Sequence, residues 1–133
     1  QAMLVASPEA DSRLLDFVTP HQRKPVSLIC NEPEGYYQMD MDRYLEARDI
    51  RLEPYMKLQS IEAVKRCVMS NLGLAVVPTY SVEEELENGS LIPVKTELNE
   101  KLYHSVYVYH KNKWLGPQME LALKLLKQTV GVK

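Results

Sequence analysis

Cysteine, glycine and histidine are scarce in this sequence. Its 133 residues include two cysteines, five glycines and three histidines. Two distant cysteines cannot form the dense disulfide framework of a small secreted domain, and a structural zinc site needs close pairs of the Cys-x-x-Cys kind, which are absent. Cys30 and Cys67 each sit in an apolar run, Ser27-Leu-Ile-Cys30 and Cys67-Val-Met69, and read as buried reduced thiols. Five dispersed glycines build neither a Walker loop nor a Gly-x-Gly-x-x-Gly turn, and there is no Gly-x-Ser-x-Gly nucleophile elbow. His21, His104 and His110 are scattered without a second ligand at short spacing, so no metal site is expected. An excess of positive charge is missing too. With 16 basic and 18 acidic residues, a net charge of -2 and no basic stripe, the chain by itself is not expected to bind DNA. No apolar run approaches the roughly 20 residues that cross a bilayer, and the start lacks the basic segment and apolar core of a signal sequence. The cytoplasm is the compartment that fits.

What remains is ordinary globular composition, 45% apolar and 26% charged, at a length that supports one hydrophobic core. The first residues, Gln1-Ala-Met-Leu-Val-Ala6, lack an initiating Met and read as the middle of a strand. The chain is therefore expected to be a piece of something longer.

Periodicity and breakers divide the chain. Met3 to Ala6 reads as a strand, Glu9 to Pro25 as a polar stretch with a weak helix or turn, and Val26 to Cys30 as a buried strand. After the turn Asn31-Glu-Pro-Glu-Gly35, the helical spacing of Tyr37, Met41, Tyr44, Leu45 and Arg48 predicts a helix, and Arg51 to Leu58 a strand with Pro54 placed at its start. That makes a βαβ unit. Ser60 is an N-cap candidate for a helix carrying Ile61, Val64, Val68 and Leu72 on one face and stopping at Gly73. Leu74 to Pro78 follows as a strand, then a short helix through Val82 and Leu86, and an edge strand at Leu91 to Val94. A strand is expected over Leu102 to His110 and a last helix from Gly116-Pro117 to Val130. The fold class is α/β, a mostly parallel sheet flanked by helices.

In such a sheet ligands bind beyond the carboxyl ends of the strands, where helix N-termini turn free N–H groups outward. Two places qualify. One is the turn from Asn31 to Gln38, with Tyr36 and Tyr37 adding hydroxyls and flat surface; its plainer reading is an ordinary βα turn. The other is Ser60, whose plainer reading is a cap, with Pro78 and Thr79 along the same rim. Cys67 has no neighbour that would activate it as a nucleophile, and Glu83-Glu-Glu85 reads as a solvated helix face. No catalytic residue and no cofactor is assigned.

The run Ser60-Ile-Glu-Ala-Val-Lys-Arg-Cys-Val-Met-Ser-Asn-Leu-Gly-Leu-Ala-Val-Val-Pro78, continued by Val82-Glu-Glu-Glu-Leu86 and Gly89-Ser-Leu91, resembles the effector-binding domain of LysR-type transcriptional regulators. Leu28-Ile-Cys-Asn-Glu-Pro33 with Tyr37 and the helix to Leu45, and the stretch from Tyr107 to Leu126, extend the resemblance over nearly the whole chain. It implies a fold like a type II periplasmic binding protein, with two α/β subdomains joined by a hinge. Residues 8–105 or so resemble the second subdomain, and residues 1–7 and 106–133 the crossover strands and C-terminal helix of the first. The family's winged helix-turn-helix, linker helix and the opening of the first subdomain have no counterpart here.

Family effectors lie between the subdomains, which carries over the turn at Glu32, Gly35, Tyr36 and Tyr37, together with Ser60, Pro78 and Thr79. Many members have an acidic-Pro-Gly-Cys-x-Tyr-Arg pattern where this chain has Glu32-Pro-Glu-Gly-Tyr-Tyr-Gln38. Gln38 offers no bidentate charged fork and Glu34 adds negative charge, which weighs against a carboxylate effector at that turn. The implied function is sensing of a small polar metabolite by a non-enzymatic regulator that contacts DNA through a domain outside this chain and acts as a homo-oligomer, with no membrane partner. Weak or undetectable effector affinity is expected of these 133 residues alone, since half of the cleft lies outside them. A solute-binding protein or an enzyme on the same scaffold is the alternative, and a purely associative module resting on the apolar face from Met119 to Val130 is a third.

Overall fold

Residues 1–98 and 108–130 are described by the structure, a computed structural model, and the chain divides into two units, Gln1–Tyr103 and His104–Lys133. In the first unit β1 (Ala2–Ala6) leads through a 3-10 turn at Ser12–Leu14 to β2 (Arg23–Cys30). Then come α1 (Tyr36–Ala47), β3 (Arg51–Lys57), α2 (Ile61–Met69), β4 (Ala75–Pro78), a 3-10 turn at Thr79–Ser81, α3 (Glu83–Glu87) and β5 (Ile92–Val94). The α/β class expected from the sequence is what is found.

Helical crossovers return a chain parallel to itself, and they set the strand directions here. β2 and β3 pair in parallel across α1, with Cys30 opposite Lys57. After α2 the chain rejoins β2 at Leu74, where Ile29 N–H donates to Leu74 O (2.7 Å) and Leu74 N–H donates to Ser27 O (2.9 Å). β1 lies antiparallel between β4 and β5. Among the described residues four strands thus share one direction and β1 alone opposes them.

β1, β4 and the end of β2 read as nearly continuous apolar runs because both their faces are covered, whereas β3 is largely exposed. Leu4, Ala6, Leu28, Leu74, Val76 and Val94 pack with Phe17 and with Met41, Tyr44 and Leu45 of α1. On the other face Val5, Ile29, Ala75 and Val77 pack with Val64 and Val68 of α2 and with Val82 and Leu91. Cys30 is buried, Cys67 half-buried, and both are free thiols.

Three local expectations are corrected. Pro54 falls inside β3, not at its start. It sits where the register slips, between Glu53 opposite Ser27 and Met56 opposite Ile29, a place where a missing ladder donor costs little. The stop of α2 is Asn71, left-handed at φ 59°, and Leu72 beyond it is exposed. Gly73 serves the joint with β2 instead.

The third correction concerns Glu85, which is no solvated face residue. Lys65 of α2, itself buried, pairs with Glu85 at 2.6 Å and Glu62 at 3.0 Å and donates to Ser81 O at 3.0 Å. The ammonium holds the Glu85 carboxyl below its ordinary range. A carboxylate with a depressed folded-state pKa contributes stability above its unfolded value, about pH 4.3, and loses it as pH falls through the folded value. Urea midpoints measured from pH 6 down to pH 3 should therefore fall less steeply for Glu85→Gln than for the parent; parallel profiles would show that the pair adds nothing.

In the second unit α4 (Pro117–Val130) begins with a proline in its first turn, and Gly116 O accepts from the amides of Met119 and Glu120, both at 3.0 Å. Leu121, Leu125 and Leu126 are exposed. The strand expected over residues 102–110 falls mostly outside the described residues.

Candidate functional site

The common direction of β2, β3 and β4 puts Cys30, Lys57 and Pro78, their last residues, on one edge. The starts of α1 and α2 and the turn at Thr79–Ser81 lie along that edge. Between β2 and α1 the chain makes a tight turn in which Gly35 N–H donates to Glu32 O at 3.0 Å. A Cβ on Gly35 would approach that same oxygen to 3.0 Å, so glycine suits the turn's closeness. Gly35 is also the N-cap of α1, and it offers no side-chain cap; the first turn of α1 contains no acidic residue. Neither the N-cap nor the first turn of α1 supplies a carboxylate to its positive pole; the acidic side chains nearby, Glu32 and Glu34, belong to the preceding turn.

Over this helix start opens a cavity of about 640 Å³ lined by Asn31 to Tyr37 and by Lys57. Its volume is in the range of small-molecule sites. Glu32, Gly35, Tyr36 and Tyr37 all border it. Tyr36 is exposed, whereas Tyr37 is half-buried; burial pushes the Tyr37 hydroxyl up, with Glu32, Tyr80 and Cys30 adding to the effect. Burial, then Asp42, raises the Cys30 thiol against the pull of Lys57, which disfavours the thiolate form that a nucleophile needs.

Gln38 points elsewhere. It is buried, its Nε2 donates to Asp42 at 3.0 Å, and it does not line the cavity. Asp42 also accepts from the Tyr55 hydroxyl, whose pKa burial and this bond drive up. Position 38 thus serves the seam between α1 and β3. The cation at the cavity is Lys57, which sequence reasoning missed. The signal was available in principle, since a parallel βαβ unit sets the last residue of its second strand beside the turn after its first.

Ser60 and the rim at Pro78 and Thr79 share the edge but do not line this cavity. Ser60 Oγ accepts from Ala63 N–H at 3.1 Å, a cap at the start of α2. Thr79 N–H donates to Gln1 O at 3.0 Å. Among the described residues, the buried side-chain polar atoms without a hydrogen-bond partner are Gln38 Oε1 and Thr79 Oγ1. No group of three His, Cys, Asp or Glu able to hold a metal occurs among the described residues, and no helix there is long and apolar enough to cross a membrane.

The family model described as LysR substrate binding domain matches residues 1–131. The HTH-type transcriptional regulator YfiE of Escherichia coli is 31% identical over 127 residues, which is 96% of this chain and 43% of that protein. A RuBisCO operon transcriptional regulator of Allochromatium vinosum is 34% identical over 91 residues, 68% of this chain and 30% of the relative. The chain thus spans less than half the length of these curated relatives. Among solved structures, the Synechocystis CcmR regulatory domain in complex with 2-PG superposes with a TM-score of 0.65 at 13% identity, covering 96% of this chain and 61% of that one. Full-length HypT of Salmonella typhimurium, a LysR-type transcriptional regulator, gives 0.64 at 14% identity over 98% of this chain and 44% of its own. At these identities the structures speak for the fold.

Proposed function

Since the chain belongs to the family of LysR substrate binding domains, we propose that it is the ligand-sensing part of a cytoplasmic transcriptional regulator and that its effector, a small polar metabolite, binds in the cavity over the start of α1. The observation that carries this reading is the convergence there of an uncapped helix N-terminus, the Lys57 ammonium, Glu32 and the tyrosines Tyr36 and Tyr37 around one opening. Ser60, Pro78 and Thr79 extend the site along the edge. In this reading residues 8–105 belong to one subdomain, whose sheet β1 enters as a crossover strand, and residues 106–133 belong to the other.

Function then needs no catalysis. An effector touching both subdomains favours the closed hinge by its differential affinity, and the closed form alters the spacing of the helix-turn-helix domains in a homo-oligomer on DNA. Glu32, Tyr37 and Lys57 bind and orient.

A thermal-shift screen of the chain against metabolites at millimolar concentration tests this. Expected is stabilisation by one chemical class, reduced in Lys57→Met. Stabilisation untouched by that substitution would move the site elsewhere, and the absence of any stabilising metabolite would favour the associative-module alternative.

A further inference from the structure

Among the described residues three charged side chains line the cavity, and none of them forms an ion pair. Glu32 and Glu34 come from the turn, Lys57 from the end of β3. Elsewhere opposite charges meet: Lys65 with Glu62 and Glu85, Arg48 with Glu97, Arg51 with Asp49. At the cavity they stand apart, and the acidic pair and the lysine belong to different elements.

Resting on the reading of this cavity as the effector site, we infer that the effector is a zwitterion of the α-amino acid class. Its carboxylate would meet Lys57 and the positive pole of α1. Its ammonium would meet Glu32 and Glu34, with the rings of Tyr36 and Tyr37 offering electron-rich faces. A purely anionic ligand faces two carboxylates at this turn, and a purely cationic one faces a lysine and a helix N-terminus. Only a molecule carrying both signs answers all three side chains, and the weight of sequence against a lone carboxylate is met by giving it an ammonium partner.

Titration of the isotopically labelled chain with L-phenylalanine, 3-phenylpropionate and 2-phenylethylamine, and with L-alanine, propionate and ethylamine, separates the classes. The amides of Gly35, Tyr36 and Tyr37 should move for an amino acid, and each single-charge analogue of it should bind about tenfold more weakly or worse. Lys57→Met should reduce the amino acid to the affinity of its amine, and the double substitution Glu32→Gln, Glu34→Gln should reduce it to that of its carboxylate. Carboxylates that bind as well as amino acids, and tighten in the double variant, would overturn the zwitterion while leaving the cavity as the effector site. Amino acids that leave these amides unmoved would overturn it as well. Amides that move only outside residues 31–37 and 57, for every metabolite of the broad screen, would instead remove the site itself.

Discussion

Replacing Gly73 with alanine is expected to cost about 3 kcal/mol or more, at the severe end of single substitutions. Its backbone has no left-handed φ, so the penalty is steric. An added Cβ would stand 2.5 Å from Ser27 O and 3.0 Å from the Ile29 side chain. Ser27 O cannot yield cheaply, because it accepts from Leu74 N–H at 2.9 Å in the joint between β2 and β4. Gly89→Ala is the control. At φ 77° with open space around it, alanine there meets only backbone strain, about 1 kcal/mol. Urea denaturation of both variants decides: comparable losses would mean that the joint gives way easily. The joint also aligns Cys30 and Lys57 with Pro78, so its failure would misplace the cavity as well as lower stability.

Tyr44→Phe should be the next most damaging change. The Tyr44 hydroxyl, buried under α1, donates to Phe17 O at 2.8 Å and accepts from Glu97 N–H at 2.9 Å. Arg48 lies 4.2 Å from the centre of its ring and pairs with Glu97. One oxygen thus ties α1 to two segments distant in sequence. Its removal leaves a buried carbonyl and a part-buried amide without partners, a loss of about 2 kcal/mol. The ring and its packing stay, so Tyr44→Phe isolates the hydroxyl; a loss below about 0.5 kcal/mol would show that water replaces it.

Much of this was legible locally. The spacing of Met41, Tyr44 and Leu45 fixes the buried face of α1, Ser60 caps α2 as its position suggests, and Asn88-Gly89 closes α3 with Gly89 left-handed. The turn from Glu32 to Tyr37 was legible as a candidate site because a strand end meets a helix start there, and it is where the cavity opens. What local pattern does not hold is pairing across the chain. The opposed direction of β1, the slip at Pro54, the Lys65–Glu85 pair and the Tyr44 hydroxyl all depend on segments brought together by the whole fold. Lys57 belongs to the same group. On its own strand it is an exposed lysine, and it becomes the cation of the cavity through its register with Cys30.

The most direct test of an effector cavity over the start of α1 is amide chemical-shift mapping of the chain with the strongest metabolite from the stabilisation screen. The account predicts that the largest shifts fall on residues 31–37 and on Lys57, and that Lys57→Met weakens binding without unfolding the chain. Saturable shifts confined to residues away from that edge, with Lys57→Met binding unchanged, would contradict it.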